Sequence, residues 1–522
     1  MLTATQLLIV LAVSAVTLAA AVGFMKVGVP TAVVFVTAGL IIGFLPFVPD
    51  VSLNPDLVLL GLLPLLVYYA AFSSSPQAFS RDALSIGYLA VGLVVLTAAV
   101  VAVVGHEVGH LSWPMAAVLG TAVGPTDPAA ISSLARRVGL PRRLSAIIEG
   151  ESLFNDGTAL VLYTAAVAAA TSGHFDTGDT VAKIFYGSAV GIGIGLAVGV
   201  VGHVLRRFLD DPPIVIMASL FLAYAAYIPA YEAGASGVLA AVTAGLYLGW
   251  HSPGALSAET RLQSGAFWET LVFLVDGALF ILVGLSFHTF TAHARGPINR
   301  LVVTGALVVV TVIVVRLAWT VAMAWAVPPL GIRPERHADW RERLVVGWSG
   351  MRGAVTLAAV LAIPLTAASG APLAGRDEVI YMGFAVILVT LVGQGLTLPL
   401  LVRRLGLAEH PSVAETERRA RLELTRAALR HLRGVSEQGV VPDEVADALM
   451  AQYQARLRRL ERAEDPDQAD HRDDLAADLA VRRELLEVQR QTLLGLRDKH
   501  RVGVTTIRAI ERELDLEEAR LR

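Results

Sequence analysis

The chain has 522 residues, of which 55% are hydrophobic and 17% are charged, and its mean hydropathy is +0.62. A soluble globular protein of this length carries more charge and less apolar surface, so the composition predicts a polytopic membrane protein. The net charge of -3 argues against a nucleic-acid partner. The absence of cysteine excludes disulfides, thiolate metal sites and cysteine nucleophiles.

Thirteen apolar segments follow one another before residue 402, each close to the roughly 20 residues that a helix needs to cross a bilayer. The first segment lacks a basic n-region and a clear cleavage site, so we expect a retained span and not a signal peptide. The predicted limits are 4–24, 29–48, 54–72, 84–105, 112–134, 144–171, 183–205, 213–231, 234–250, 267–288, 300–327, 342–366 and 377–401.

Basic residues are distributed unequally between the two sets of alternating loops. One set carries 15 lysines and arginines, from Lys26 to Arg404, and the other set carries 4. By the positive-inside rule, the N-terminus is predicted outside and the C-terminus in the cytoplasm, with the chain in the plasma membrane.

The composition changes near residue 405. Residues 405–522 hold 24 of the 45 acidic residues and 21 of the 42 basic residues, and apolar residues recur there at helical spacing. Breaks at 434–442 and 464–470 predict three or four amphipathic helices that pack together or on a regulatory partner. The predicted domains are therefore a membrane domain, 1–404, and a cytoplasmic helical tail, 405–522.

Residues 147–158 place acidic side chains inside a predicted span. Glu149, Glu151 and Asp156 each cost several kcal/mol near the bilayer centre unless they have partners or a visiting cation. On a helix, Glu149, Ser152 and Asp156 share one face, whereas Glu151 and Asn155 share the adjoining face. This pattern predicts an ion site.

The fifth span contains two prolines around Thr126 and Asp127, at positions 125 and 128. Each proline removes a backbone hydrogen bond and clashes with the preceding turn, so we expect the helix to unwind here. Irregular backbone at membrane depth is tolerated only inside protein or beside a wet cavity, and such breaks place helix ends and free carbonyls at ion sites. A merely kinked helix with a structural Asp127 is the alternative.

A second break is predicted at residues 347–353, where three glycines at a spacing of three accompany Arg352. The two breaks lie seven spans apart. A repeat that is offset by an odd number of spans is inverted across the membrane. Spans 1–6 and 8–13 would therefore form inverted repeats, with broken helices in spans 5 and 12. Arg352 needs a partner at this depth, and Glu151 is the predicted one. The alternative, that the glycines only allow close helix packing, does not explain the arginine.

Two more charges lie within predicted spans, Asp276 in the tenth and Arg316 in the eleventh. They could pair with each other. Alternatively, Asp276 approaches the ion site from the side opposite Asp156, because spans 3 and 10 occupy corresponding positions in the predicted repeats.

Residues 106–110 match the H-E-x-x-H pattern of zinc proteases, in which two histidines on one helical face bind the metal. This segment lies at the outer end of span 4, and the only hint of a third ligand is at residues 54–56. We therefore expect a polar loop, with an intramembrane protease as a remote alternative.

Over roughly residues 5–405 the chain resembles the sodium/proton exchanger branch of the monovalent cation:proton antiporter superfamily. The residues that carry the resemblance are 124–128, 149–157, 267–271 and 350–355. The resemblance implies a homodimer in the lipid bilayer, with spans 4–6 and 11–13 as a mobile core and the remaining spans as the dimer scaffold.

The resemblance also implies roles for individual residues. Asp156 would be the shared cation and proton site, and Ser152, Thr126 and Asp127 would be direct or water-mediated contacts. Glu151 and Arg352 would form a structural pair near Asn155, and this Asn-Asp sequence marks the branch regarded as electroneutral.

Two departures from the family pattern concern acidic residues. Tyr69 replaces the acid usual in span 3, and Asp276 stands where an asparagine is usual. We therefore expect Asp276 to tune the electric field at Asp156 rather than to be neutralised by Arg316.

The predicted function is a secondary antiporter, not an enzyme, that exchanges a monovalent cation, Na⁺ first and K⁺ as the alternative, for H⁺. If Asp156 holds either ion but cannot cross between the two membrane faces empty, each transit with a cation is matched by a return with a proton. The mechanism needs no resident cofactor. A cation channel is a remote alternative, because it would need a continuous polar path.

Overall fold

A computed structural model describes residues 31–44, 57–74, 86–127, 138–173, 177–209, 211–251, 256–293, 298–326, 339–407, 412–438 and 441–462, with a few isolated positions beyond 484. The first predicted span, 4–24, and residues 128–137 lie outside this part of the chain. The chain divides into two compact units, Met1–Glu409 and His410–Arg522.

The described residues form helices joined by turns, with one isolated β-bridge between Thr366 and Pro372. This agrees with the predicted all-α fold. In chain order the helices are α1 (Thr31–Gly43), α2 (Leu57–Phe72), α3 (Tyr88–Glu107), α4 (Trp113–Ala122), α5 (Arg142–Ser172), α6 (Thr177–Arg206), α7 (Pro212–Glu232), α8 (Gly237–Trp250), α9 (Ala258–His293), α10 (Ile298–Ala326), α11 (Trp340–Trp348), α12 (Ala354–Leu361), α13 (Arg376–Arg404), α14 (Ser412–Glu437) and α15 (Asp443–Arg462).

Seven of the described helices are long and apolar enough to cross a membrane: α3, α5, α6, α7, α9, α10 and α13. Three shorter apolar helices, α1, α2 and α8, accompany them. The protein is therefore a multi-pass membrane protein. The total of thirteen spans and the inverted repeats stay predictions.

Small residues allow the membrane helices to pack closely. Gly39 of α1 lies against the backbone of Ile281 in α9, and Gly284 of α9 lies against the backbone of α1 at Val36. A Cβ atom at either glycine would collide with backbone. In lipid, where no hydrophobic force drives helices together, such contacts provide the van der Waals attraction between them.

Two of the motifs noted in the sequence lie in described segments that are not helical. α4 ends at Ala122, and residues 124–127 are non-helical. α11 ends at Trp348, and α12 begins at Ala354 after five residues outside any helix. The two segments together position the candidate site, whereas the broken helices of spans 5 and 12 stay predictions.

The second unit contains an antiparallel pair of amphipathic helices, α14 and α15. Leu422, Leu429 and Ala446 are buried, whereas charged residues cover the outside. Arg426 of α14 donates to Glu461 of α15 over 2.8 Å. The break between the helices lies within residues 434–442, where glycine and proline predicted it.

Candidate ion-binding site

The two non-helical segments contact each other directly. The backbone N–H of Asp127 donates to the carbonyl of Met351 over 2.8 Å. Arg352 Nε donates to the carbonyl of Val123 over 3.1 Å, and the backbone N–H of Ala354 donates to Asp127 Oδ2 over 3.3 Å. Each segment therefore provides hydrogen-bond partners for backbone groups of the other segment that have no partner within a helix.

These contacts pair charges with helix ends. The carbonyls at the end of a helix carry a partial negative charge, and the first N–H groups carry a partial positive charge. The guanidinium of Arg352 lies at the C-terminal end of α4, and the carboxylate of Asp127 lies at the N-terminal end of α12. Gly353 is required between them, because a Cβ atom there would overlap the Asp127 carboxylate.

A hydroxyl and amide cluster joins the first non-helical segment to α5. Thr126 Oγ1 lies 2.8 Å from Ser152 Oγ and accepts a hydrogen bond of 2.8 Å from Asn155 Nδ2. All three side chains are buried. The structure thus brings Thr126, Ser152 and Asn155 together.

Asp156 lies beside this cluster with 3% of its surface exposed. Its Oδ1 atom has no hydrogen-bond partner within the described residues, and its charge interacts with that of Asp127. A carboxylate oxygen buried without a protein partner is costly, which makes it a strong attractant for a proton or a cation.

Asp156 faces a cavity of about 740 Å³. Two helices each present two carboxylates to it, Glu149 and Asp156 from α5, and Glu269 and Asp276 from α9. In each pair the residues are seven positions apart, so they lie two helical turns, about 10 Å, apart along one face. The remaining polar lining includes Tyr69, Ser73, Ser74, Thr126, Asp127 and Thr356.

The predicted partner of Glu151 is wrong. Both carboxylate oxygens of Glu151 accept hydrogen bonds from Arg316, with Nη2 2.7 Å from Oε2. Arg316 also donates to the carbonyl of Val346. Glu151 and Arg316 are each 1% exposed, so this is a fully buried bidentate ion pair.

Arg352, which the sequence assigned to Glu151, instead donates to the carbonyls of Val123 and Gly350. The physical reason is the unwound backbone, since free carbonyls satisfy a guanidinium that sequence reasoning could only match to an acid. Arg316 is engaged by Glu151 and does not neutralise Asp276, so the simple pairing of Asp276 with Arg316 is not formed.

Tyr69, which replaces the family acid, stacks on Trp268 with ring centroids 5.2 Å apart and an interplanar angle of 4°. It also lines the cavity. Trp268 is held in turn by a hydrogen bond of 3.0 Å to Ser219. The position therefore contributes an aromatic wall to the cavity in place of a carboxylate.

Two threonines near the site were not predicted. Thr356, in the first turn of α12, lines the cavity. Thr390 begins a π-helical turn of α13 and accepts a hydrogen bond of 3.1 Å from the backbone N–H of Arg352. A threonine in an apolar segment carries no sequence signal of its own, although a π-turn is often found near functional sites.

The zinc pattern at residues 106–110 is not arranged as a metal site. α3 ends at Glu107, and His110 adopts a left-handed backbone conformation with φ of 55°, so the two histidines do not share a helical face. His106 Nδ1 lies 2.7 Å from the carbonyl of Leu111. In the described part of the chain, no three or more His, Cys, Asp or Glu side chains are grouped to hold a metal ion.

Three comparisons with known proteins identify the family and the fold of the chain. The profile of the family described as sodium/hydrogen exchanger, transmembrane, matches residues 11–404. An uncharacterized Na⁺/H⁺ exchanger of Mycobacterium tuberculosis is 35% identical over 513 residues, covering 95% of this chain and 92% of the relative. The Na⁺/H⁺ antiporter ApNhaP of Aphanothece halophytica is 30% identical over 437 residues, covering 82% and 80%.

The fold is similar to that of the sodium proton antiporter MjNhaP1 from Methanocaldococcus jannaschii, with a TM-score of 0.62 and 19% identity. The similar region covers 77% of this chain and all of that one. The profile match spans more than half of the chain, and the family consists of transporters and not of enzymes. The chain belongs to the sodium/hydrogen exchanger family of transmembrane proteins.

Proposed function

We propose that this protein exchanges Na⁺ for H⁺ across the membrane and that Asp156 is the carboxylate that carries both ions in turn. The observation that supports the assignment is the position of Asp156, which is buried, lines the cavity and has an oxygen atom without a protein partner in the described region. The names of the relatives support Na⁺ in preference to K⁺.

The exchange follows from competition for one carboxylate. A bound proton neutralises Asp156, and a bound Na⁺ compensates its charge, so either ion allows the buried group to change its exposure between the two membrane faces. The uncompensated carboxylate is held back by the cost of a charge in a low-dielectric interior. Exchange therefore needs no nucleotide and no resident cofactor, because the gradients supply the free energy.

The neighbouring residues have separate roles in this proposal. Thr126 and Ser152 supply neutral oxygens, and Asn155 orients Thr126 through its amide hydrogen bond. Asp127 fixes the N-terminal end of α12. Asp276, in the same cavity, tunes the field that the transported ions meet.

We infer from the positive-inside rule that the cavity opens toward the cytoplasm. The cavity reaches Thr31 at the start of α1 and Ser73 and Ser74 at the end of α2. The loops beside these ends carry Lys26 and Arg81, which assigns them to the cytoplasm. On this orientation the C-terminal tail is cytoplasmic, where a regulator can reach it. We infer that the membrane is the plasma membrane.

Assembly and stoichiometry follow from the resemblance stated above. We infer a homodimer in which the helices around the crossing of the two segments move against the remaining helices. We also infer electroneutral exchange, because the Asn155-Asp156 sequence is the one that marks the electroneutral branch of the superfamily that the chain resembles.

The proposed function is tested by transport in proteoliposomes. Purified protein is reconstituted in vesicles that contain a pH dye, a proton gradient is imposed, and Na⁺, Li⁺ and K⁺ are added separately. We expect rapid dissipation of the proton gradient by Na⁺, unchanged when valinomycin and K⁺ clamp the membrane potential. A dye response to K⁺ alone, or none to any cation, would contradict Na⁺/H⁺ exchange.

A further inference from the structure

The ligands predicted from the sequence use much of their hydrogen-bonding capacity on one another. Thr126 Oγ1 is in contact with both Ser152 Oγ and Asn155 Nδ2 at 2.8 Å. A hard monovalent cation that leaves water needs several oxygen ligands to replace its hydration shell. Asp156 with these two hydroxyls supplies fewer oxygen atoms than such a shell requires.

Thr356 lines the same cavity as Asp156. It is the third residue of α12, directly beyond the crossing of the two non-helical segments. The side chain is 1% exposed and lines the cavity, and Oγ1 has no hydrogen-bond partner within the described part of the chain. A hydroxyl buried without a partner is costly, and a transported ion would satisfy it.

Asp276 approaches the same region from α9. Its charge interacts with that of Asp127, the residue that also interacts with Asp156. Next to Asp276, α9 packs on α12. The buried side chains of Val275 and Leu279 in α9 form one cluster with those of Ala354 and Ala358 in α12. Asp276 lies between Val275 and Leu279 in the sequence, and Thr356 lies between Ala354 and Ala358. The turn of α9 that contains Asp276 therefore packs against the part of α12 that contains Thr356.

We propose that Thr356 and Asp276 are ligands of the transported cation and complete its oxygen shell in the cavity that they share with Asp156. The inference rests on the proposed function and adds two residues to the site. Asp276 supplies a charged oxygen, and Thr356 supplies a neutral one from a helix whose start is fixed by Asp127. The two helices α5 and α9 then enclose the ion between their inner carboxylates.

The test compares the Na⁺ dependence of exchange in variants of full-length protein. Thr356→Val removes the hydroxyl at nearly constant volume, and we expect the apparent KM for Na⁺ to rise about threefold to tenfold with kcat little changed, as for the loss of one neutral ligand. Thr356→Ser should restore the original KM. Asp276→Asn should raise the KM about tenfold or more.

Thr97→Val is the matched control. Thr97 is also fully buried with a hydroxyl that lacks a partner in the described residues, but it does not line the cavity. Its KM for Na⁺ should remain that of the parent protein. As a second readout, the NaCl concentration that half-maximally raises the melting temperature in detergent should shift by the same factor as KM.

The outcomes separate the inference from the proposed function. An unchanged KM in Thr356→Val, or a raised KM that Thr356→Ser does not restore, overturns the ligand role while exchange through Asp156 stands. Retained exchange in Asp156→Asn removes the proposed function itself. If Thr356→Val does not assemble, Thr356→Ala, which adds no new group, gives the same comparison with Thr97→Ala.

Discussion

Glu151 and Asp156 occupy the same helix five residues apart and are almost equally buried, yet their surroundings differ. Glu151 has both oxygens bonded to Arg316, whereas Asp156 has an oxygen with no partner among the described residues and faces the cavity. A permanent counterion makes the first carboxylate part of the framework. The second lacks one, so its charge can be compensated by whichever ion arrives.

The largest expected effect concerns the cavity carboxylate. Asp156→Asn should abolish Na⁺-dependent proton flux, because an amide neither releases a proton nor offers a full charge to Na⁺. Its melting temperature should stay close to that of the parent, since no ion pair is broken. Asp211→Asn, at an exposed position before α7, is the control and should transport normally. Cation-dependent flux in Asp156→Asn would remove this residue from the mechanism.

The framework carboxylate should give the opposite pattern. Glu151→Gln or Arg316→Ala leaves one buried charge unmatched, which costs about 3 to 5 kcal/mol of stability. We expect lower expression and a lower melting temperature for either variant. Removing both charges, as in Glu151→Gln with Arg316→Met, should cost less than the sum of the single changes.

A double-mutant cycle distinguishes the two candidate partners of Glu151. The coupling with Arg316 should be large, and that with Arg352 should be small, because Arg352 bonds to the carbonyls of Val123 and Gly350. Stronger coupling to Arg352 than to Arg316 would restore the pairing inferred from the sequence.

Packing at the crossing of the two segments gives an intermediate effect. Gly353→Ala places a methyl group on the Asp127 carboxylate, so we expect about 1 to 3 kcal/mol of destabilisation and slower exchange. Gly393→Ala is the matched control, because its added methyl group meets open space. Equal melting temperatures for the two variants would show that the contact with Asp127 is unimportant.

Sequence reasoning identified residues that line one cavity but not all of their contacts. Helical spacing placed Ser152 and Asp156 on one face, and proline and glycine predicted where the backbone leaves the helix. The partner predicted for Glu151 was wrong. The sequence indicates that both Arg316 and Arg352 are buried, but it does not show how far each lies from Glu151. Thr356 was missed because its proposed role depends on a cavity lined by five separate helices and by residues 125–127.

Loss of one neutral oxygen should have a smaller effect than any change above. Ser152→Ala and Thr126→Ala should each raise the apparent KM for Na⁺ a few fold without ending turnover, because a hydrogen bond to a neutral group contributes about 1 kcal/mol. The measurement is initial exchange rate against NaCl concentration. Complete loss of exchange in both, as in Asp156→Asn, would instead indicate that the region is only structural.

The smallest expected effect is on the pH profile, and it tests whether Asp276 acts on Asp156. The charged groups facing the cavity with it are Asp127, Asp156, Glu149 and Glu269. A nearby negative charge favours the protonated form of a carboxylate, so Asp276→Asn should make Asp156 give up its proton more readily. We expect the pH optimum of exchange, measured at saturating Na⁺, to move toward acid by less than about one unit, the size of shift a neighbouring charge produces. Glu269→Gln, which removes a carboxylate two turns nearer the start of α9 in the same cavity, is the matched control and should move it less. An unmoved profile with a lowered melting temperature in Asp276→Asn would assign the residue to the framework, beside Glu151.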